Sequence, residues 1–310
     1  MPAIITHNAF GEDVLSTLPD GMVEGDEERL AFLLGNQGPD PLFARMLTLP
    51  QTAMASQRLG HAMHDDKPIE GLLAFRDGVG HLPVSDERIG RAFALGLLGH
   101  YTLDHIAHPF VFGQQEALVA ADPSLEGSDL ELHGVIEADI DSWMLWEKHR
   151  QTVLERPAYE CLQRTERIDR VAGALFSQVA FSVYGESLGT TDYAACVRDY
   201  ELCCHVLDPA GNPKVRLLGH FGRLTKPHSL AEAMAHPLVR SSECAAANLE
   251  RHQWENPWTH ETSNESFADL YDKARGLYPT LAETFVRADL DRLRQLSGGL
   301  NYNGQPVEAV

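Results

Sequence analysis

Residues 85–109 read SDERIGRAFALGLLGHYTLDHIAHP, and the fold class turns on how this stretch is taken. Ser85-Asp86-Glu87 has the character of a helix N-cap followed by acid in the first turn, where aligned peptide dipoles favour negative charge. From Ile89 to His108 the run is almost wholly apolar, so the helix is expected to be buried on most sides. Pro109 lacks an N–H and crowds the preceding turn, so it should end or bend that helix. Working outward, the helical pattern continues. Asp26 to Leu34 reads as a short helix closed by Gly35, followed by a turn at Asn36-Gln37-Gly38-Pro39-Asp40. Thr52 to about His64 reads helical, stopping before Pro68. Ser128 with Glu131 is a capping-box pair opening a helix to about His149. Further helical stretches fall near 166–183, 190–206, 229–252 and 265–296, with long loops at 207–228 and 253–265. Period-2 alternation is scarce, and neither loop is composed like a flexible linker, so the expectation is one all-α, multi-helix domain over 1–310.

Composition narrows the function. The chain has 25 Lys and Arg against 45 Asp and Glu, a net charge of −20 with His neutral. Such a surface repels phosphate backbones and anionic lipid, so binding to nucleic-acid polymers is not expected. No basic amphipathic helix stands out, and no apolar run reaches the length of a transmembrane span. The start of the chain lacks a basic, apolar leader pattern. The five Cys are odd in number, without CxxC spacing, and read as reduced thiols; vicinal Cys203-Cys204 beside His205 reads as core before it reads as a thiol site. A cytoplasmic setting is expected. Fifteen His make metal worth seeking, since a metal would supply positive charge to a site for an anionic substrate.

The chemistry concentrates in the first 150 residues. His100, Asp104 and His108 stand at i, i+4 and i+8, on one helical stripe about 12 Å long. Two ions about 3.5–4 Å apart need ligands spread over such a length. His105 points about 100° away from that stripe. Metal-capable groups on an apolar helix are costly to bury unless something pairs with all of them. His133 and Glu137 repeat the i, i+4 device on the next helix, and imidazole plus carboxylate is the ligand chemistry of hydrolytic zinc. Upstream candidates are His7, Asp40 in the Gly-Pro turn, and either of His61 and His64.

These residues, in order, resemble a known family. The string Thr6-His7, Gly35-Asn36-Gln37-Gly38-Pro39-Asp40-Pro41, His64, His100-x3-Asp104-x3-His108-Pro109 and His133-x3-Glu137 is similar to the zinc-dependent phospholipase C family, which shares its all-helical fold with the P1-type nucleases. The likeness covers roughly residues 1–150. It implies three zinc ions: one held by His64, His100 and Asp104, with Asp40 as ligand or general base; one by His108, His133 and Glu137; one by His7, the second oxygen of Asp104 and the N-terminal nitrogen. Family members mature to an N-terminal Trp well before the first His, whereas here His7 lies only six positions after Met1.

The implied activity is hydrolysis of a phosphoric ester. Three zinc ions against three carboxylates leave the site about +3, and two leave it about +1, either of which reverses the surface charge locally. A metal-bound water would attack phosphorus in line, oriented or deprotonated by Asp40. The expected partner is a phosphoester small molecule or a phospholipid, the net charge favouring the soluble one; Trp254, Trp258 and Phe267 could wall its pocket. Two alternatives stay open. His64-Asp65 is the dyad of HD-type metal-dependent phosphohydrolases, and a non-catalytic, zinc-stabilised helical binding protein would present the same donors.

Overall fold

The apolar run forms a single helix, and Pro109 does not end it. In the computed structural model, which describes residues 3–223 and 227–307, α5 spans Glu87–Ala121, 35 residues and about 52 Å at 1.5 Å per residue. Every residue from Ala92 to His105 is buried, as an apolar helix with no polar face requires. The ring of Pro109 cannot donate to the His105 carbonyl. Gly304 covers this place in a left-handed conformation, φ +72, where a Cβ would stand 2.4 Å from Pro109 Cγ and 2.8 Å from the His105 oxygen.

The other helices are α1 (Ile4–Leu15), α2 (Asp26–Gly35), α3 (Pro50–Asp65), α4 (Pro68–Gly78), α6 (Asp129–His149), α7 (Glu166–Tyr184), α8 (Asp192–Leu207), α9 (Pro213–Gly222), α10 (Leu230–Ala233), α11 (Phe267–Val286) and α12 (Leu290–Leu296). Among the described residues the one strand pairing within a sheet is a short antiparallel ladder of β1 (Trp254–Glu255) and β2 (Thr262–Ser263). The chain is thus all-α. Helices α1, α2, α4, α6, α7 and α11 pack directly on α5, and one apolar cluster runs from Ile4 to Tyr302. Helix α2 crosses α5 backbone to backbone: a Cβ on Gly35 would lie 2.2 Å from the Phe93 oxygen, and one on Gly96 would lie 2.0 Å from the Phe32 oxygen. Gly35 therefore closes α2 and also permits the crossing that sets the 36–40 turn beside His100. No described helix is long and apolar enough to cross a membrane.

Several boundaries differ from expectation. The stretch 229–252 is helical only at α10 and in a 3-10 turn over Ala245–Ala247; Pro237 disfavours helix at His236 and removes a donor. The expected loop 207–228 contains α9, started by Asn212, whose side chain accepts from Lys214 and Val215 N–H, with Pro213 at the first position. The 265–296 helix is broken between α11 and α12, where Ala288 is left-handed (φ 56) and Asp289 caps the next turn. Helix α6 begins beside Ser128 but makes no side-chain cap there, whereas a capping box forms at Ser266 and Asp269. Helices α1 and α4 were not anticipated.

Candidate metal centre

Helix α5 supplies the centre of the site as its periodicity requires. His100, Asp104 and His108 point to one side, and Asp104 is the hub. Its Oδ2 lies 2.9 Å from His100 Nε2 and 3.9 Å from His64 Nε2. Its Oδ1 lies 3.0 Å from His7 Nε2 and 3.8 Å from His108 Nε2. On the His100 side, Asp40 Oδ1 stands 3.4 Å from His64 Nε2 and 3.8 Å from His100 Nε2. At the other end, Glu137 Oε1 is 3.5 Å from His108 Nε2 and 3.2 Å from His133 Nε2. Three donor groups result: His7, His100 and Asp104; Asp40, His64 and His100; His108, His133 and Glu137. All are buried except His133, which is half-buried.

The second nitrogens explain the orientation. His64 Nδ1 is 2.8 Å from the Gly60 carbonyl, His100 Nδ1 3.1 Å from that of Asn36, and His108 Nδ1 2.9 Å from that of Tyr302. A carbonyl only accepts, so each Nδ1 carries a proton, and each Nε2 is turned toward a carboxylate. Lone pair facing carboxylate at these distances is unfavourable unless a proton or a cation stands between them. His100 Nε2, Asp104 Oδ2, His7 Nδ1 and Thr6 Oγ1 are buried without a hydrogen-bond partner. Tetrahedral coordination with bonds of about 2.0–2.1 Å puts ligand atoms about 3.3 Å apart, close to the His64–Asp40, His108–Glu137 and His133–Glu137 separations of 3.4, 3.5 and 3.2 Å. A cavity of about 20 Å³, lined in part by Thr6, His7, Asp104, His108, Glu137 and Phe267, adjoins four of the donors, with room for a single water or ion. The residues present fit divalent metal.

The buried imidazoles and carboxylates also shift one another's protonation. Burial alone would raise the Asp104 carboxyl, but His100, His108 and His7 hold it well below the ordinary range. Burial is likewise outweighed at Glu137 by His133 and His108, and at Asp40 by His100 and His64. Burial opposes protonation of His108, yet Asp104 and Glu137 raise it to about 9. His7 moves the other way, lowered by burial and by His100.

The eight side-chain donors expected from the sequence come together here. His64, not His61, faces the cluster; His61 is exposed, its ring against Phe43. His105 is a core residue, its Nδ1 on the Tyr101 carbonyl and its ring lowered to about 4 by burial. Asp65 turns outward to Asn303, which removes the second member of the HD dyad from the site. The N-terminal nitrogen lies outside the described residues. Cys161, Cys196, Cys203 and Cys204 are buried free thiols, and burial pushes Cys203 up to about 11 while His205 stacks on Tyr159 instead. Trp258 packs on Phe112, which packs on His133, so Trp258 is separated from the cluster by Phe112, and Trp254 packs on Phe110.

Two features escaped the sequence reading. Tyr302 in the C-terminal turn packs its ring near His64, His100 and Tyr101, donates its N–H to the His64 carbonyl, and offers its own carbonyl to His108. Asp141 continues the stripe His133-x3-Glu137 by one more turn. Its carboxylate accepts the N–H groups of Ile5 and Thr6 at 2.9 and 2.8 Å, fixing the start of α1 and so His7. His236 joins Asp141 (3.1 Å) to Asp208 (2.8 Å) behind it. Extending the i, i+4 pattern past Glu137 would have found Asp141; no local signal marks Tyr302. No family model, curated protein or solved structure matches this chain, so its chemistry rests on this geometry.

Proposed function

We propose that the chain is a zinc-dependent phosphoric ester hydrolase that cleaves a phosphodiester, in the manner of the phospholipase C family its motifs resemble. The observation that carries this is the set of buried imidazoles, each backed by a carbonyl at Nδ1 with its Nε2 aimed at Asp40, Asp104 or Glu137. Zinc bound there would supply a water of lowered pKa and positive charge for phosphoryl oxygens. His64, His100, Asp40 and Asp104 would hold one ion, and His7 with the other oxygen of Asp104 would contribute to a second. His108, His133 and Glu137 provide three protein donors, which leaves a position for water or substrate, whereas a purely structural zinc takes four. Asp40 has an oxygen besides the one facing His64 and His100, and its carboxyl is held below the ordinary range despite burial; it can accept a proton from the attacking water.

The test is hydrolysis of bis(p-nitrophenyl) phosphate by zinc-loaded protein, compared with chelated protein and with His100→Ala. Turnover that depends on zinc and falls in the variant supports the reading. No release above the His100→Ala background sinks it.

A further inference from the structure

Helix α9 sits against the body of the protein through very little of its surface. Only Val215 and Gly219 are buried. At 100° per residue these two lie on one side, while Leu217, Phe221 and Lys214 face the opposite way, with Leu218 on one flank and His220, Arg216 and Arg223 on the other. Leu217 is 58% exposed, Phe221 58% and Leu218 42%. Contiguous exposed apolar groups of this size mark an interaction surface more often than an accident of packing.

The charge around the ridge is the reverse of the chain's. From Pro209 to Ala231 there is no Asp or Glu, yet the stretch carries Lys214, Arg216, Arg223 and Lys226 in a protein of net charge −20. The acids bordering the helix are already neutralised: Glu232 pairs with Arg223 and Asp208 with His236. Lys214 and Arg216 make no ion pair among the described residues. Leu and Phe along an outward ridge with basic groups beside it is the pattern of a helix that lies in the plane of a bilayer. The protein's remaining negative charge is felt weakly there, because screening cuts it off within about 8 Å at physiological salt.

We infer that α9 docks this protein on an anionic lipid bilayer, with Leu217, Leu218 and Phe221 entering the headgroup boundary and Lys214 and Arg216 meeting lipid phosphates. Docking needs only the folded chain and is independent of catalysis at the metal centre. Helix α10 joins α9 to α6 next to Gly134, one residue from His133, which places the docked helix two contacts from the donors.

Co-sedimentation of the zinc-loaded, full-length chain with phosphatidylglycerol/phosphatidylcholine vesicles, and with pure phosphatidylcholine, tests this. Wild type should partition onto the anionic vesicles and be released by salt. Lys214→Gln/Arg216→Gln should weaken partitioning about 25-fold, at about fivefold per basic residue, and Leu217→Ser/Phe221→Ser should abolish it. All four positions are exposed, so zinc content, melting temperature and hydrolysis of a soluble phosphodiester should stay at wild-type values. Wild type left in the supernatant, equal binding to neutral vesicles, or variants that sediment like wild type each overturn the inference. A dimer in light scattering that Leu217→Ser/Phe221→Ser converts to monomer also overturns it, assigning the ridge to a second copy of the chain.

Discussion

Asp104→Asn is the most informative single change, because this one carboxylate would serve two of the proposed ions. Its oxygens separately address His100 at 2.9 Å and His7 at 3.0 Å, while His108, His133 and Glu137 form a group without it. The amide keeps the shape and removes the charge, so two sites should be lost and the third retained. Each site filled at free zinc of about 100 times its dissociation constant adds about 2.7 kcal/mol. An unfolding entropy of about 2.1 cal/mol/K per residue makes that about 4 °C for a chain of this length. Zinc should therefore raise the melting temperature by about 12 °C in wild type, about 4 °C in Asp104→Asn and about 8 °C in His133→Ala. Comparing each variant with its own chelated form cancels the packing change. Elemental analysis should give matching ratios, near three, one and two ions per chain. Equal zinc-induced shifts in all three proteins would refute the assignment of Asp104 as hub, and no shift in any would refute a metal centre.

Other consequences are independent of that result. Burial works against a charged His236, but Asp208 and Asp141 outweigh it and raise the ring to about 10. A raised folded value means stability fully present below the unfolded value near 6.5 and lost as pH climbs through about 10, amounting to about 5 kcal/mol for a fully buried group. Urea unfolding should accordingly show a wide gap between wild type and His236→Gln at pH 6 that narrows toward pH 10; a gap that widens contradicts a charged His236 between Asp141 and Asp208. Gly38→Ala forces a side chain at φ +55 and puts a Cβ 2.3 Å from His100 Cδ2, so beyond a strain of about 1–2 kcal/mol it should lower zinc content. A variant that is merely less stable but fully loaded would show that His100 tolerates displacement. Asp40→Asn should cut phosphodiester turnover by about 10²–10⁴ while the His108, His133 and Glu137 site keeps its ion; turnover within tenfold of wild type would remove Asp40 from the proton-transfer role.

Helical periodicity is a local property, and what depends on it could be read directly from the chain. The all-α class, the common face of His100, Asp104 and His108, the pairing of His133 with Glu137, and the divergence of His105 all follow from 3.6 residues per turn. Local chemistry misled where a longer-range contact won. Pro109 looks like a terminator in isolation, but Gly304 and the C-terminal turn pack over it and the helix runs on. No basic amphipathic helix stands out in the sequence at 213–223, where a loop is expected; its outward apolar and basic groups emerge only once it is seen as a helix whose buried residues are Val215 and Gly219.

Tertiary structure alone decided which oxygen faces which imidazole. The choice of His64 over His61 depends on α3 packing on the 3-10 turn over Asp40–Ala44, where Gly60 lets the side chains of Leu42 and Phe43 approach. Asp141 meets Ile5 across 136 positions, and His108 meets the Tyr302 carbonyl across 194. Such partners are selected by the packing of whole helices, since an unsatisfied buried charge or donor is costly wherever its partner lies in the chain. The sequence alone therefore determined the donor types and their helical faces. Only the folded chain brought those faces together, because the free energy that does so comes from burial shared by residues far apart.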